Sequence, residues 1–120
     1  MARILIAEDD EAVRGFVQRA LNEDGYDTAA ARDGAEALDV LTRENGAFDL
    51  LLTDIRMPVM DGIALALATA RDHPDVTILL MTGYADQRER AEELNGIILD
   101  VVQKPFTLAE IRDRVGRALV

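Results

Sequence analysis

Apolar residues run along the chain in two alternating patterns. Residues 3–7 form a short apolar run of strand length. Residues 10–24 then carry Val13, Phe16, Val17, Ala20 and Leu21 at helical spacing, and Gly25 stops them. Residues 26–31 read as a weaker strand. Asp33, with Glu36 three residues on, reads as an N-cap and opens a helix through Ala37, Leu38 and Leu41 that Gly46 ends. Residues 48–53 are apolar without alternation, as a strand covered on both faces would be. Pro58 and Gly62 make 57–62 a loop. A helix over 61–71 follows and closes at His73-Pro74, since the residue before proline is pushed out of helical geometry. Residues 76–81 are a further buried strand, 86–94 a short polar helix, 97–102 a fifth strand and 107–119 a last helix. Thr107 and Glu110 supply that helix with a second capping box.

Five strand-helix units in succession predict an α/β class, (βα)5, doubly wound and flavodoxin-like. Parallel strands need crossover helices, and right-handed crossovers leave a five-stranded parallel sheet in order 2-1-3-4-5 as the natural solution. With 120 residues, the expectation is one domain over 1–120 and no attached output domain. There is no low-complexity stretch and no linker.

Composition narrows the function classes. No Cys is present, so disulfides, thiolate nucleophiles and zinc-thiolate sites are excluded. The net charge of −10 speaks against nucleic-acid binding, which needs clustered Lys and Arg. Arg88, Arg90, Arg112, Arg114 and Arg117 are interspersed with acids and read as solvated helix faces. No run reaches the ~20 apolar residues of a membrane span. The first residues lead straight into a strand rather than a signal peptide, so a cytoplasmic protein without membrane partners is expected.

In an open α/β sheet the ligand site lies beyond the carboxyl ends of the strands. Glu8, Asp9 and Asp10 follow the first strand, Asp54 the third, Thr82 the fourth and Lys104 the fifth. One rim thus gathers acids, a hydroxyl and an ammonium. Two unit charges ~4 Å apart repel by roughly 4 kcal/mol at an effective dielectric near 20, a cost that a divalent cation removes. With oxygen ligands only, Mg2+ is the expected metal, and it keeps positions open for phosphate oxygens. Lys104 would neutralise a phosphoryl oxygen, Thr82 would hydrogen-bond another, and the Asp54 carboxylate would be the nucleophile. Asp10 and Asp61 read better as helix N-caps, and Met57, Met60 and Phe106 as packing residues. His73 is a turn residue before Pro74.

The segments Ile4-Leu-Ile-Ala-Glu-Asp-Asp-Glu11, Leu52-Thr-Asp-Ile-Arg-Met-Pro-Val-Met-Asp-Gly62, Leu80-Met-Thr-Gly83 and Lys104-Pro-Phe106 resemble, in order and spacing, the CheY-like response-regulator receiver domain. The resemblance covers essentially the whole chain. It implies that Asp54 is the phosphoacceptor, that Asp9 binds Mg2+ directly and Glu8 through water, and that the Arg56 backbone carbonyl is a further ligand. It makes Thr82 the switch hydroxyl and Lys104 the phosphate contact, with a cis bond to Pro105. Such a domain is a regulatory switch rather than an enzyme. It takes phosphate from a histidine kinase or histidine phosphotransferase and signals to an effector protein through the fourth helix, fifth strand and fifth helix, as a monomer or a phosphorylation-dependent dimer.

One position departs from the family pattern. Val101 stands where the family's switch aromatic sits, three residues before the lysine, so output is left to Thr82 with the Gly83-Tyr84 loop, or to Tyr84 as a substitute ring. Tyr84 as a loop aromatic without a signalling role is an equal alternative. Arg56 and Tyr84, two residues after Asp54 and Thr82, are bulky and are expected to slow self-dephosphorylation. Ala7-Glu-Asp-Asp-Glu11, Leu51-Leu-Thr-Asp-Ile55, Met81-Thr-Gly-Tyr-Ala-Asp86 and Asp100-Val-Val-Gln-Lys-Pro-Phe106 are further similar to CpdR-type stand-alone receivers. That likeness implies control of proteolysis by the ClpXP machinery. Two other classes stay open: a phosphate sink or shuttle in a relay, and a metal-dependent phosphohydrolase with an Asp nucleophile.

Overall fold

A computed structural model describes residues 2–83, 85–94 and 96–120, with the side chains of 85–88 outside the description. Ten elements alternate: β1 (Arg3–Ala7), α1 (Glu11–Glu23), β2 (Asp27–Ala31), α2 (Gly34–Arg43), β3 (Leu50–Asp54), α3 (Gly62–Asp72), β4 (Thr77–Thr82), α4 (Ala85–Glu92), β5 (Asp100–Gln103) and α5 (Leu108–Ala118). All strand pairs are parallel, in the expected order β2-β1-β3-β4-β5.

Strand period explains how the two layers of helices are held. Successive side chains point to opposite faces. Leu5, Leu51, Ile78 and Leu80 thus join a core with Ala37, Val40 and Leu41 of α2, Leu65 and Ala66 of α3, and Ala91 of α4. Ile4, Ile6, Leu50, Leu52, Leu79 and Met81 join a second core with Val17, Ala20 and Leu21 of α1 and Ile111 and Val115 of α5. The three central strands are buried on both faces, and each fully buried Leu or Ile contributes roughly 1.5–3 kcal/mol. The sheet's interior is therefore a rigid platform, and its rims are where polar groups can gather.

Helix caps follow the sequence closely. Asp10, Asp33, Asp61 and Thr107 cap α1, α2, α3 and α5 through their side chains. At α5 the capping box is reciprocal. At α2 it is not: Asp33 accepts from the Glu36 N–H, but Glu36 turns back to the Arg32 N–H and guanidinium instead. Gly46, at φ 67°, ends the loop after α2 in left-handed geometry, where a Cβ would also lie 2.6 Å from His73 Nδ1. His73 is the C-cap of α3.

Several boundaries differ from the sequence reading. Asp54 and Thr82 are the last residues of their strands rather than the first beyond them. Phe48 and Asp49 precede β3, with Phe48 buried under the Arg3 guanidinium, 4.4 Å from the ring centroid. The expected fifth strand over 97–102 begins only at Asp100. Gly96 takes φ 94°, Ile97 and Ile98 both donate N–H groups to the Leu94 carbonyl, and ladder pairing with β4 starts at Leu79–Asp100. Apolar character there marks a turn, with Leu99 left 59% exposed. Arg90, Arg112, Arg114 and Arg117 pair with Asp61, Glu23 and Asp24, Asp100 and Asp113. The expectations placed on Tyr84 and the Arg88 side chain lie outside the described residues.

Candidate metal centre at the carboxyl rim of the sheet

The adjoining carboxyl ends of β1, β3, β4 and β5 bring the predicted residues to one place. Glu8 continues β1, its N–H donating to the Ala31 carbonyl at 3.1 Å, and its side chain is fully buried. One carboxylate oxygen, Oε2, accepts from the Asp10 N–H at 3.2 Å, and the other, Oε1, from Lys104 Nζ at 2.5 Å. Lys104 Nζ also donates to Asp54 Oδ2 at 3.0 Å. Asp54 Oδ1 accepts from the Ile55 N–H at 2.9 Å, and the side chain is nearly closed to solvent. Asp9 is exposed. One carboxylate oxygen from each of Glu8, Asp9 and Asp54 lies within 4.8 Å of the others.

Backbone geometry fixes the two key side chains. The Lys104 N–H donates to the Thr82 carbonyl at 2.7 Å, and the Lys104-Pro105 bond is cis, as the family resemblance implies. Thr82 is sealed at 1% exposure at the end of β4, with its neighbour Gly83 on the rim. Behind Asp54, the Gly62 N–H donates to the Ile55 carbonyl at 2.7 Å. A Cβ at Gly62 would sit 1.9 Å from the Asp54 carbonyl oxygen, so the loop closes onto the strand end only with glycine. Asp10 spends its Oδ1 on the Ala12 and Val13 N–H groups as a cap.

An open cavity of about 730 Å³ spans this rim. Its acidic half carries Glu8, Asp9, Asp10 and Asp54, with Arg56 and Lys104 on its edge, and its apolar half carries Val13, Phe16 and Phe106. Phe16 and Phe106 have ring centroids 6.5 Å apart. Val101, in the place of the family aromatic, is half-buried and packs toward the α2-α3-α4 core.

The electrostatics are those of an overcrowded anionic site. Burial raises the Glu8 carboxyl, the Lys104 hydrogen bond lowers it and Asp54 raises it, and the balance holds it at about 7. Burial alone would lower the Lys104 ammonium, but its hydrogen bonds to Glu8 and Asp54 and their charges outweigh this and raise it. Three carboxylates thus face one ammonium. An all-oxygen donor set with surplus negative charge fits a hard divalent cation such as Mg2+.

The sequence reading missed two contacts. Lys104 already bridges two acids rather than standing ready for phosphate alone. Arg14, on α1, donates from Nη1 to the Glu8 carbonyl at 3.0 Å. One cation among many on a helix face offers no sequence signal for such a contact.

Residues 4–116 match the family described as the response regulator receiver domain. The chain belongs to that family, and is a receiver domain of a two-component system. It is similar to the response regulator receiver protein CpdR of Brucella abortus (strain 2308), with 38% identity over all of this chain and 98% of that protein. It is 36% identical to the response regulator MprA of Mycobacterium avium (strain 104) over 98% of its own length, but spans only 50% of MprA. Among solved structures it resembles the response regulator TrrA of Thermotoga maritima in complex with Mg2+-BeF, with a TM-score of 0.86, 30% identity and coverage of 99% and 100% of the two chains. It also resembles the chemotaxis response regulator CheY4 of Vibrio cholerae, with a TM-score of 0.86, 27% identity and 99% coverage of each. No helix among the described residues is long and apolar enough to cross a membrane.

Proposed function

We propose that this chain is a stand-alone cytoplasmic receiver, residues 1–120, phosphorylated on Asp54 with the help of Mg2+. The observation that carries the reading is the Lys104 ammonium between Glu8 and Asp54, with oxygens of Glu8, Asp9 and Asp54 gathered within 4.8 Å. Asp9, Asp54 and the Arg56 carbonyl would hold Mg2+, with Glu8 acting through water. Bound there, the ion supplies charge neutralisation for the acids and for the incoming phosphoryl oxygens. The donor is a phosphohistidine of a kinase or phosphotransferase. An Asp54 carboxylate oxygen forms the new O–P bond as the N–P bond breaks, and the electron pair returns to the donor imidazole nitrogen. Lys104 then exchanges its hydrogen bond to Asp54 for one to a phosphoryl oxygen. Rate gain in such a site comes from positioning and charge stabilisation.

Thr82 would hydrogen-bond a second phosphoryl oxygen. Thr82 is buried, and on this reading its hydroxyl moves toward Asp54 on phosphorylation, a movement that acts as the switch. The effector face is then α4, β5 and α5. Val102 is buried in the sheet, so contacts there fall to the outward residues of the helices and to Gln103. The CpdR likeness, over nearly all of that protein, supports the stand-alone reading, and a client in the ClpXP machinery is what the resemblance to CpdR-type receivers implies. Arg56 is exposed on the cavity edge, where it would hinder water attack on the acyl phosphate. Replacing Arg56 and Tyr84 by small residues should shorten the phospho-Asp half-life, read by loss of label with time.

The test is affinity capture of partners with and without beryllofluoride and Mg2+. A partner set that changes with beryllofluoride in the wild type and not in Asp54→Asn supports the switch. A change that survives Asp54→Asn refutes the acceptor assignment. Phosphotransfer back to a histidine protein, with no effector captured in either state, favours the sink or shuttle instead.

A further inference from the structure

The Glu8-Asp9-Asp10 turn is held by hydrogen bonds of Glu8 and Asp10, on either side of the residue expected to touch metal. The Glu8 N–H is fixed on Ala31, and its carboxylate on Lys104 and the Asp10 N–H. The Asp10 carbonyl accepts from the Arg14 N–H at 2.9 Å, and its side chain caps α1. The Glu8 carbonyl accepts from the Arg14 guanidinium at 3.0 Å. Among the described residues, no hydrogen bond holds the exposed Asp9 carboxylate. Its direction is therefore inherited from the backbone on either side.

A peptide group is planar, so its carbonyl and the following N–H turn together. The Glu8 carbonyl and the Asp9 N–H belong to one such plane. A guanidinium donor on that oxygen restrains the plane, the Asp10 cap restrains the chain on the other side of Asp9, and together they limit the direction in which the Asp9 Cα–Cβ bond leaves the chain. We infer that Arg14 is a positioning residue for the metal site: through the Glu8 carbonyl it sets the aim of the Asp9 carboxylate. The inference rests on the proposed Mg2+ site.

Two physical effects of Arg14 oppose each other, which makes the inference testable by sign. Taken as a charge alone, Arg14 is a cation beside an anionic pocket, and its removal should tighten binding of another cation. Taken as a positioning group, its removal frees the Glu8-Asp9 plane and should weaken binding. Outer partners of metal ligands typically matter by 10–100-fold in affinity.

The experiment is calorimetric titration of the full chain with MgCl2, for wild type, Arg14→Ala, Arg14→Gln, Arg14→Lys, Asp9→Asn and Arg14→Ala/Asp9→Asn. Amide NMR spectra without Mg2+ confirm that each variant is folded. Arg14→Ala is expected to weaken Mg2+ binding by about tenfold. Arg14→Lys, which keeps charge and a donor, should recover part of the loss. In the Asp9→Asn background, removing Arg14 should cost nothing further. Arg14→Gln, which keeps an N–H donor without charge, carries the test if the alanine variant fails to fold, and it should bind Mg2+ more weakly than wild type. Equal or tighter Mg2+ binding by the folded Arg14 variants overturns the inference while leaving the metal site intact. An undiminished loss in the Asp9→Asn background overturns it as well. If the wild type itself binds no Mg2+, the metal site and the inference fall together.

Discussion

The two rims of the sheet use the same kinds of side chain to opposite ends. At the amino-terminal rim, Arg3 donates from its guanidinium to Asp27, Glu44 and the Ala47 carbonyl, and from its backbone N–H to Asp49, while lying over the Phe48 ring. Every acid there meets an N–H donor, and the cluster ties β1, β2 and the chain entering β3 together. At the carboxyl-terminal rim, Glu8 and Asp54 share the Lys104 ammonium while the Asp9 carboxylate lies beside them without it, and two of the three acids are buried. The first arrangement holds the fold. The second stores repulsion that the bare protein relieves only in part, through Lys104 and a proton held on Glu8, and a cation or a phosphoryl group would change its energy directly. The proposed phosphoacceptor site lies at the rim where the charge is left unbalanced.

The comparison breaks most visibly at Lys104. Lys104→Met would strand two buried carboxylates without their counter-charge. We expect a loss of about 3 kcal/mol in the metal-free protein, the scale for removing one partner of a buried pair. Mg2+ should restore part of it, and urea unfolding with and without the ion measures both.

Single changes at the two rims should next move stability in opposite directions. Asp9→Asn relieves repulsion and should raise metal-free stability by about 1 kcal/mol, while weakening the response to Mg2+. Arg3→Ala should lower Tm by several degrees, equally with and without Mg2+. Thermal unfolding of both variants under the two conditions checks the pair. Two shifts of the same sign would mean that the carboxyl rim is not under strain.

The smallest expected effect is a pH dependence confined to the carboxyl rim. Glu8 is held near 7 in the fold, against 4.5 for an ordinary glutamate. Between those values the folded protein keeps a proton that the unfolded chain has lost. The contribution of Glu8 to stability is therefore full below about pH 4.5 and is lost as pH rises through about 7. Metal-free urea midpoints should fall between pH 5 and pH 8. Added Mg2+ should help more at pH 8, where Glu8 is ionised.

How far the sequence carries a reader differs between these regions too. The (βα)5 order, the caps at Asp10, Asp33, Asp61 and Thr107, and the gathering of Glu8, Asp9, Asp54 and Lys104 all follow from local signals: period, glycine stops and strand ends. The start of β5 did not, because apolar content reports burial and not hydrogen-bond register. Ile97 and Leu99 look like strand, yet after the Gly96 turn the Ile97 N–H goes to the Leu94 carbonyl, Leu99 makes one bond to Ile78 of β4 just ahead of the assigned strand, and both side chains stay exposed. The Arg3 cluster and the Arg14 contact were equally hidden. Each depends on residues brought close by the sheet, such as Arg3 and Glu44, and a lone arginine carries no mark of its future partner. The carboxyl rim was legible because its residues stand at strand ends, where the fold class itself says ligands gather.

The central claim is that the unbalanced rim accepts a phosphoryl group on Asp54 when a divalent ion is present. The most direct measurement is to treat the protein with acetyl phosphate, with and without Mg2+, trap the acyl phosphate by borohydride reduction and map the modified residue by mass spectrometry. Modification at Asp54 that requires Mg2+ is the predicted result. Modification at another carboxylate, or at Asp54 to the same extent with the ion removed by chelation, would contradict it.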